Sequence, residues 1–139
     1  MTRLIALMLI LMSLTVQATE PFFKTHGLVF FYGSECPHCQ RFAPIVRRYA
    51  DENQVAVLPL SLDDKALPDF DDFLPATSEW LTAAFRDKPI EYPALFVVNP
   101  KTKALYPVSI GAMEAYELNA RMETLISRIN AYEAQGESL

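Results

Sequence analysis

The stretch FYGSECPHCQRFAPIV, residues 31–46, holds both cysteines of the chain, Cys36 and Cys39, with Pro37 and His38 between them. Two thiols three positions apart can form half of a metal site, close a structural disulfide, or act as a redox pair towards the sulfurs of another protein. A structural zinc site needs four ligands, and the chain offers two cysteines and two histidines, His26 and His38. His38 lies between the cysteines, and neighbouring residues at the start of a helix converge poorly on one ion, so the chemistry argues against a metal. A purely structural Cys36–Cys39 disulfide closes a very short loop and removes little chain entropy. It stays open as an alternative but accounts for few of the surrounding residues.

A catalytic dithiol accounts for more of them. The first N–H groups of a helix lack intrahelical partners, and the macrodipole places positive potential there. A thiolate on Cys36 at such a position has its pKa lowered. Pro37 fits the first helical turn, where its missing N–H costs nothing, and a protonated His38 adds positive charge. Cys39, one turn further on, is placed to resolve a mixed disulfide formed by Cys36. Lowering a thiol pKa from about 8.5 to about 3.5 is worth roughly 7 kcal/mol. A shift of about 150 mV in reduction potential has the same energy, so thiolate stabilisation alone can turn a reducing pair into an oxidising one.

The elements that must position this pair follow from the pattern. GLVFFYG, residues 27–33, is a short apolar run bounded by glycines and reads as a central strand buried on both faces. Beyond Cys36 the period changes: Phe42, Ile45, Val46 and Tyr49 form one face of a helix, with Arg41, Arg47, Arg48 and Glu52 on the other. A second strand is expected over residues 54–62, completing a right-handed βαβ unit. An acidic, proline-bearing stretch follows and reads as a solvated loop. Then come a short helix around residues 78–86 with Trp80, Leu81, Ala84 and Phe85 inward, and a β-hairpin turning at residues 99–103. Past Gly111 a long helix is expected to bury Met113, Tyr116, Ala120, Leu125 and Ile129. The order β-α-β-α-β-β-α predicts an α/β fold with a mixed central sheet flanked by helices.

With 139 residues, 51% of them hydrophobic and 21% charged, the chain suits one globular domain. A net charge of −5 with scattered basic residues argues against nucleic acid as a partner. Arg3, the uncharged apolar run over residues 4–16 and the small residues ending at Ala18 form the pattern of a secretory signal peptide. The run is shorter than the roughly 20 residues that span a bilayer. The expectation is therefore a cleaved leader, residues 1–18, and a single domain, residues 19–139, exported to an oxidising compartment with no membrane span.

A Cys-x-x-Cys at the first strand-to-helix turn of a βαβ unit resembles the thioredoxin superfamily. Pro44 matches the proline that kinks the first helix there. Pro93, in IEYPALFVV ahead of the third strand, matches the cis-proline beside the active-site cysteines, preceded here by Tyr92. The dipeptide Pro37–His38 is the one found in DsbA-type oxidants, but the chain has no room for their inserted helical domain. The buried acid that thioredoxin carries six residues before the first cysteine is replaced by Phe30, and Glu35 is an exposed substitute. From residues 28–52 and 92–118 the chain is similar to the TrbB/TraF family of conjugative type IV secretion systems. That resemblance implies a periplasmic thiol–disulfide isomerase that needs no cofactor beyond its dithiol. Its clients would be disulfide-bonded transfer and pilus-assembly proteins, and a redox partner would recharge the pair. Cys36 would attack, Cys39 resolve and His38 stabilise the thiolate, while Pro93 and Tyr92 line the client groove. A non-catalytic scaffold and a periplasmic reductase are the competing readings.

Overall fold

The computed structural model describes residues 22–137; the expected signal peptide lies outside them. Strand β1 (Gly27–Tyr32) is central in a five-stranded sheet of order β3-β2-β1-β4-β5. It runs parallel to β2 (Val57–Ser61) and antiparallel to β4 (Ala94–Val98). Two further strands complete the sheet: β3 (Leu74–Pro75), parallel to β2, and β5 (Leu105–Ile110), antiparallel to β4. Helices α1 (Pro37–Asn53) and α3 (Ala115–Glu137) cover one face, and α2 (Ser78–Phe85) covers the other.

Alternation along β1 divides its side chains between two cores. Leu28, Phe30 and Tyr32 join Leu95, Val97 and the inner faces of α1 and α3. Val29 and Phe31 join Leu60, Ala94 and Phe96 beneath Phe85 and Trp80 of α2. All five β1 residues from Leu28 to Tyr32 are at most 1% exposed, as a strand read as buried on both faces requires.

Three expectations need correction. The second strand begins at Val57, because Gln54 adopts a left-handed conformation (φ 53°) that closes α1 and accounts for the first residues of the expected run. The acidic stretch is not simply a solvated loop: Leu67 and Phe70 are buried, and the segment ends in the short edge strand β3. Along α3 the buried stripe is Leu118, Met122, Leu125, Ile126 and Ile129, while Tyr116 is 73% exposed, Ala120 is exposed and Met113 lies ahead of the helix. The chain enters α3 from Gly111 (φ 100°), whose N–H donates to the Pro93 carbonyl at 2.7 Å.

A half-buried polar cluster fastens the end of α3 to the segment before β1 and to the β4–β5 hairpin. Glu133 accepts from Asn99 Nδ2 (2.8 Å), from the Tyr106 hydroxyl (2.9 Å) and from His26 Nε2 (3.0 Å). His26 stacks on Phe22, and its Nδ1 lies 3.1 Å from the Phe22 carbonyl. Burial alone would raise the Glu133 pKa; the hydrogen bonds from Asn99, His26 and Tyr106 outweigh it and hold the carboxyl below its ordinary value.

Replacing Glu133 by Ala takes the acceptor from the buried His26 and Asn99 and from the half-buried Tyr106, and should cost about 1–3 kcal/mol in denaturant unfolding. Because the folded-state pKa is depressed, this carboxylate's contribution is complete above the unfolded-state value and is lost as pH falls through the folded one. Glu133→Gln should therefore flatten the acid side of the stability–pH curve relative to wild type. Parallel curves below pH 5 would show that Glu133 is not part of the acid response.

Candidate functional site

The β1–α1 junction is built by a turn and a cap. The Cys36 N–H donates to the Gly33 carbonyl (3.3 Å), turning the chain out of the sheet. Cys36 then has extended backbone angles (φ −79°, ψ 116°) and is the N-cap of α1. Its sulfur takes the place that a Ser or Asp oxygen fills at other helix starts, accepting the Cys39 N–H at 3.2 Å. A sulfur in that position meets the unpaired N–H groups at the positive end of a helix. Pro37 occupies the first turn and is exposed. Both thiols are free in this structure, so the expected Cys36–Cys39 pair is present as a dithiol.

The two sulfurs differ in environment. Cys36 is partly exposed, whereas Cys39 is completely buried. Burial, reinforced by its hydrogen bond with Cys36, pushes the Cys39 thiol up to about 12. The inner face of α1 that carries Cys39 continues through Phe42, which meets Phe30 edge-on with ring centroids 6.0 Å apart. Phe30 also packs on Tyr32 (5.7 Å) and Phe70 (5.4 Å), so the core between β1 and α1 is aromatic. Glu35 is far out in solvent, its side chain 87% exposed and 3.9 Å from Lys65 Nζ.

Neighbouring loops hold the junction in place. Asp63, just past β2, accepts from the Ser34 N–H (2.9 Å) and hydroxyl through Oδ2, and from the Ser61 hydroxyl (3.0 Å) through Oδ1. The Ser34 hydroxyl is the main reason its carboxyl lies below the usual range. The Tyr32 hydroxyl donates to the Lys65 carbonyl at 2.8 Å. On the other side the Tyr92–Pro93 peptide bond is cis, Pro93 is buried, and the half-exposed Tyr92 ring lies over Gly33. A Cβ at Gly33 would stand 3.2 Å from that ring and 3.8 Å from the Cys36 Cβ, so Gly33 joins Tyr92 to the dithiol.

The structure thus places Cys36, Cys39, Pro37, Tyr92 and Pro93 at one end of the sheet. His38 is exposed there, and its Nδ1 lies 3.0 Å from an Arg41 guanidinium nitrogen, which brings a fixed positive charge beside it. Sequence reasoning assigned Arg41 to a solvated helix face and overlooked Asp63 and Ser34. An Asp two residues past a strand and a Ser two before a cysteine carry no recognisable local signal. Among the described residues no group of three or more His, Cys, Asp or Glu side chains is gathered as a metal site.

A mixed sheet with helices on both faces and a dithiol capping the first helix defines a thioredoxin-like protein. Two solved structures share this fold: MTB dsbF (22% identity, TM-score 0.50, covering 76% of this chain and 84% of that one) and a thioredoxin domain of a thiol-disulfide oxidoreductase from Bacteroides vulgatus (12% identity, TM-score 0.51, covering 76% and 82%). The chain belongs to the TraF family, described as F plasmid transfer operon protein, whose family model matches residues 15–122. It is 28% identical over 99 residues to Protein TrbB of Escherichia coli (strain K12), an alignment covering 71% of this chain and 55% of that protein. The chain therefore spans about half the length of this curated relative.

Replacing Asp63 by Ala removes the acceptor for Ser34 N–H and its hydroxyl. The Ser34 amide should exchange with solvent about tenfold faster or more, while the core amides of β1 keep their protection. Unchanged protection at Ser34 would show that the turn is held without Asp63.

Proposed function

We propose that the protein is a periplasmic thiol:disulfide oxidoreductase, working chiefly as a disulfide isomerase on proteins of conjugative transfer and pilus assembly. The observation that carries this reading is the asymmetric dithiol: a partly exposed Cys36 sulfur at the N-cap of α1 and a buried Cys39 one turn below. The Cys36 thiolate attacks a client disulfide, forming a Cys36–client bond and expelling the other client sulfur as a thiolate. A second client thiolate can then attack the client sulfur and regenerate Cys36 with no net oxidation. Alternatively Cys39 attacks Cys36, giving the Cys36–Cys39 disulfide and a reduced client. Tyr92 and Pro93 flank the groove in which an extended client segment would lie. Pro37 starts the helix, and Arg41, held beside the exposed His38 ring, brings a positive charge to its N-terminal end.

Export rests on the signal-peptide pattern of residues 1–18, which leaves residues 19–139 as the working domain. Membership of the TraF family and the similarity to TrbB support the conjugative setting. The clients are disulfide-bonded proteins of that apparatus, and a separate redox protein keeps the dithiol charged.

Reactivation of a scrambled disulfide protein tests the reading. Cys36→Ala should abolish it, and Cys39→Ala should accumulate mixed disulfides visible on non-reducing gels. Equilibration with glutathione should place the pair between about −120 and −200 mV; a value near −270 mV would recast the protein as a reductant. A double Cys→Ser variant that still supports pilus assembly would leave a scaffold as the surviving reading.

A further inference from the structure

Most arginine side chains among the described residues have a partner. Arg47 and Arg48 pair along α1 with Asp51 and Glu52, Arg41 lies beside His38, and Arg121 donates to the Pro107 and Val108 carbonyls. The Arg86 and Arg128 guanidinium groups are different: among the described residues neither has an ion pair or a hydrogen bond. On α3, the helical neighbours of Arg128 are Thr124, Leu125, Ala131 and Tyr132, so no carboxylate of its own helix reaches it. Both arginines line one groove of about 410 Å³, a volume in the range of ligand pockets. On a chain of net charge −5, two unpaired cations in one groove call for an anionic occupant.

The groove wraps round the edge of the sheet. β5 is an outermost strand, and near its start Leu105 packs on the α2 face while Tyr106 packs on the face of α1 and α3. Arg86, at the C-cap of α2, stands on the first side; Arg128 and Tyr132 of α3 stand on the second. Tyr132 is 66% exposed and meets Tyr106 edge-on at 6.2 Å. The neighbouring Glu133 carboxylate is already taken up by His26, Asn99 and Tyr106. Arg86 has a backbone conformation (φ 53°, ψ −118°) that favours glycine. It is the first central residue of the turn in which the Lys88 N–H donates to the Phe85 carbonyl. Glycine would suit that turn better, but it would bring no cation to the groove.

Part of the β5 edge also offers its backbone. The Asn99 N–H donates to the Ala104 carbonyl (3.0 Å), so Ala104 faces β4 and Leu105, one residue on, turns its N–H and carbonyl outward. Beyond Leu105 the edge is closed: Pro107 has no N–H, and Arg121 covers the Pro107 and Val108 carbonyls.

We propose that this groove holds an extended, acidic segment of a partner protein, added along β5 at Leu105. Successive side chains of a strand point to opposite faces, so two adjacent carboxylates reach Arg86 on one face and Arg128 on the other. Main-chain hydrogen bonds with Leu105 set the register, and flanking apolar side chains pack on Leu105 and Tyr132. The surface is separate from the redox site. Leu105 pairs with Val98, whereas Ile110, roughly 17 Å along the strand, pairs with Ala94 beside Pro93. A partner held here leaves the dithiol free, and the inference stands independently of the redox reading.

The test is fluorescence anisotropy with a labelled peptide repeating Val-Glu-Glu-Val and its Val-Gln-Gln-Val counterpart. The acidic peptide should bind at low salt, and the neutral one about tenfold more weakly or worse; equal binding, or none, would overturn the proposal. Arg86→Gly and Arg128→Ala should each weaken binding about two- to fivefold. Arg86→Gly should do so with its melting temperature held or raised, because glycine suits the turn; undiminished binding by the double variant would sink the assignment. Hydrogen exchange of the Leu105 amide should slow in the complex, and protection confined to other segments would rule out strand addition. Two further outcomes would overturn the proposal in favour of another occupant. One is arginine-dependent binding to phosphatidylglycerol vesicles without peptide binding; the other is concentration-dependent self-association that the double variant loses.

Discussion

The register of β1 is the constraint on which the rest of the site depends. Because the strand is buried on both faces, a slip of one residue would exchange Leu28, Phe30 and Tyr32 for Val29 and Phe31 across the sheet and disrupt two cores at once. The register that results pairs Tyr32 with Ser61, Phe31 with Ala94, and Ala94 with Ile110. Each pair stands at the mouth of a functional segment: the Gly33–Cys36 turn, the loop bearing Asp63, the Tyr92–Pro93 bond, and Gly111 before α3. Segments up to about 80 residues apart in sequence meet at one level because their strands cannot slide. The hydrogen bonds from Ser34 to Asp63 and from Gly111 to Pro93 fasten loops that the sheet has already brought together.

Helix α1 then makes two thiols of one residue type unequal. A residue at the N-cap lies outside the helical cylinder, facing N–H groups with no intrahelical acceptor. Three positions later the side chain points back along the helix and into the core. Cys36 is therefore partly exposed in positive potential, while Cys39 is shut away from water. This asymmetry requires no metal or cofactor. It follows from helix geometry and from the β1 core that determines which face of α1 turns inward.

Much of this was legible in the sequence, because the relevant signals are local or periodic. Continuous apolarity marked β1, the 3.6-residue stripe marked α1, and the Cys-Pro-His-Cys spacing marked the junction. The cis bond at Tyr92–Pro93 was expected from the family resemblance rather than from local chemistry, and the structure has it. What failed to show depends on long-range partners. In α3 two apolar stripes compete, and the one through Leu118 is buried because it meets the sheet and α1, partners far off in sequence. Leu67 and Phe70 sat in an acidic context that masked their burial, Phe70 packing on Phe30. The cluster of Glu133 with His26, Asn99 and Tyr106 joins three segments whose residue types are individually ordinary at a surface, so no pattern announced it.

Phe30 shows how little freedom this register leaves. A carboxyl group at this position would have to be desolvated inside an aromatic core, a cost of several kcal/mol unless a partner is supplied. Its described ring neighbours are Phe42, Phe70 and Tyr32, whose hydroxyl is directed to the Lys65 carbonyl. The Arg47 guanidinium in turn lies over the Phe70 ring at 5.2 Å. Phe30 is held apolar by the packing that fixes β1 against α1, so a polar side chain there would require rebuilding the aromatic wall to which it belongs.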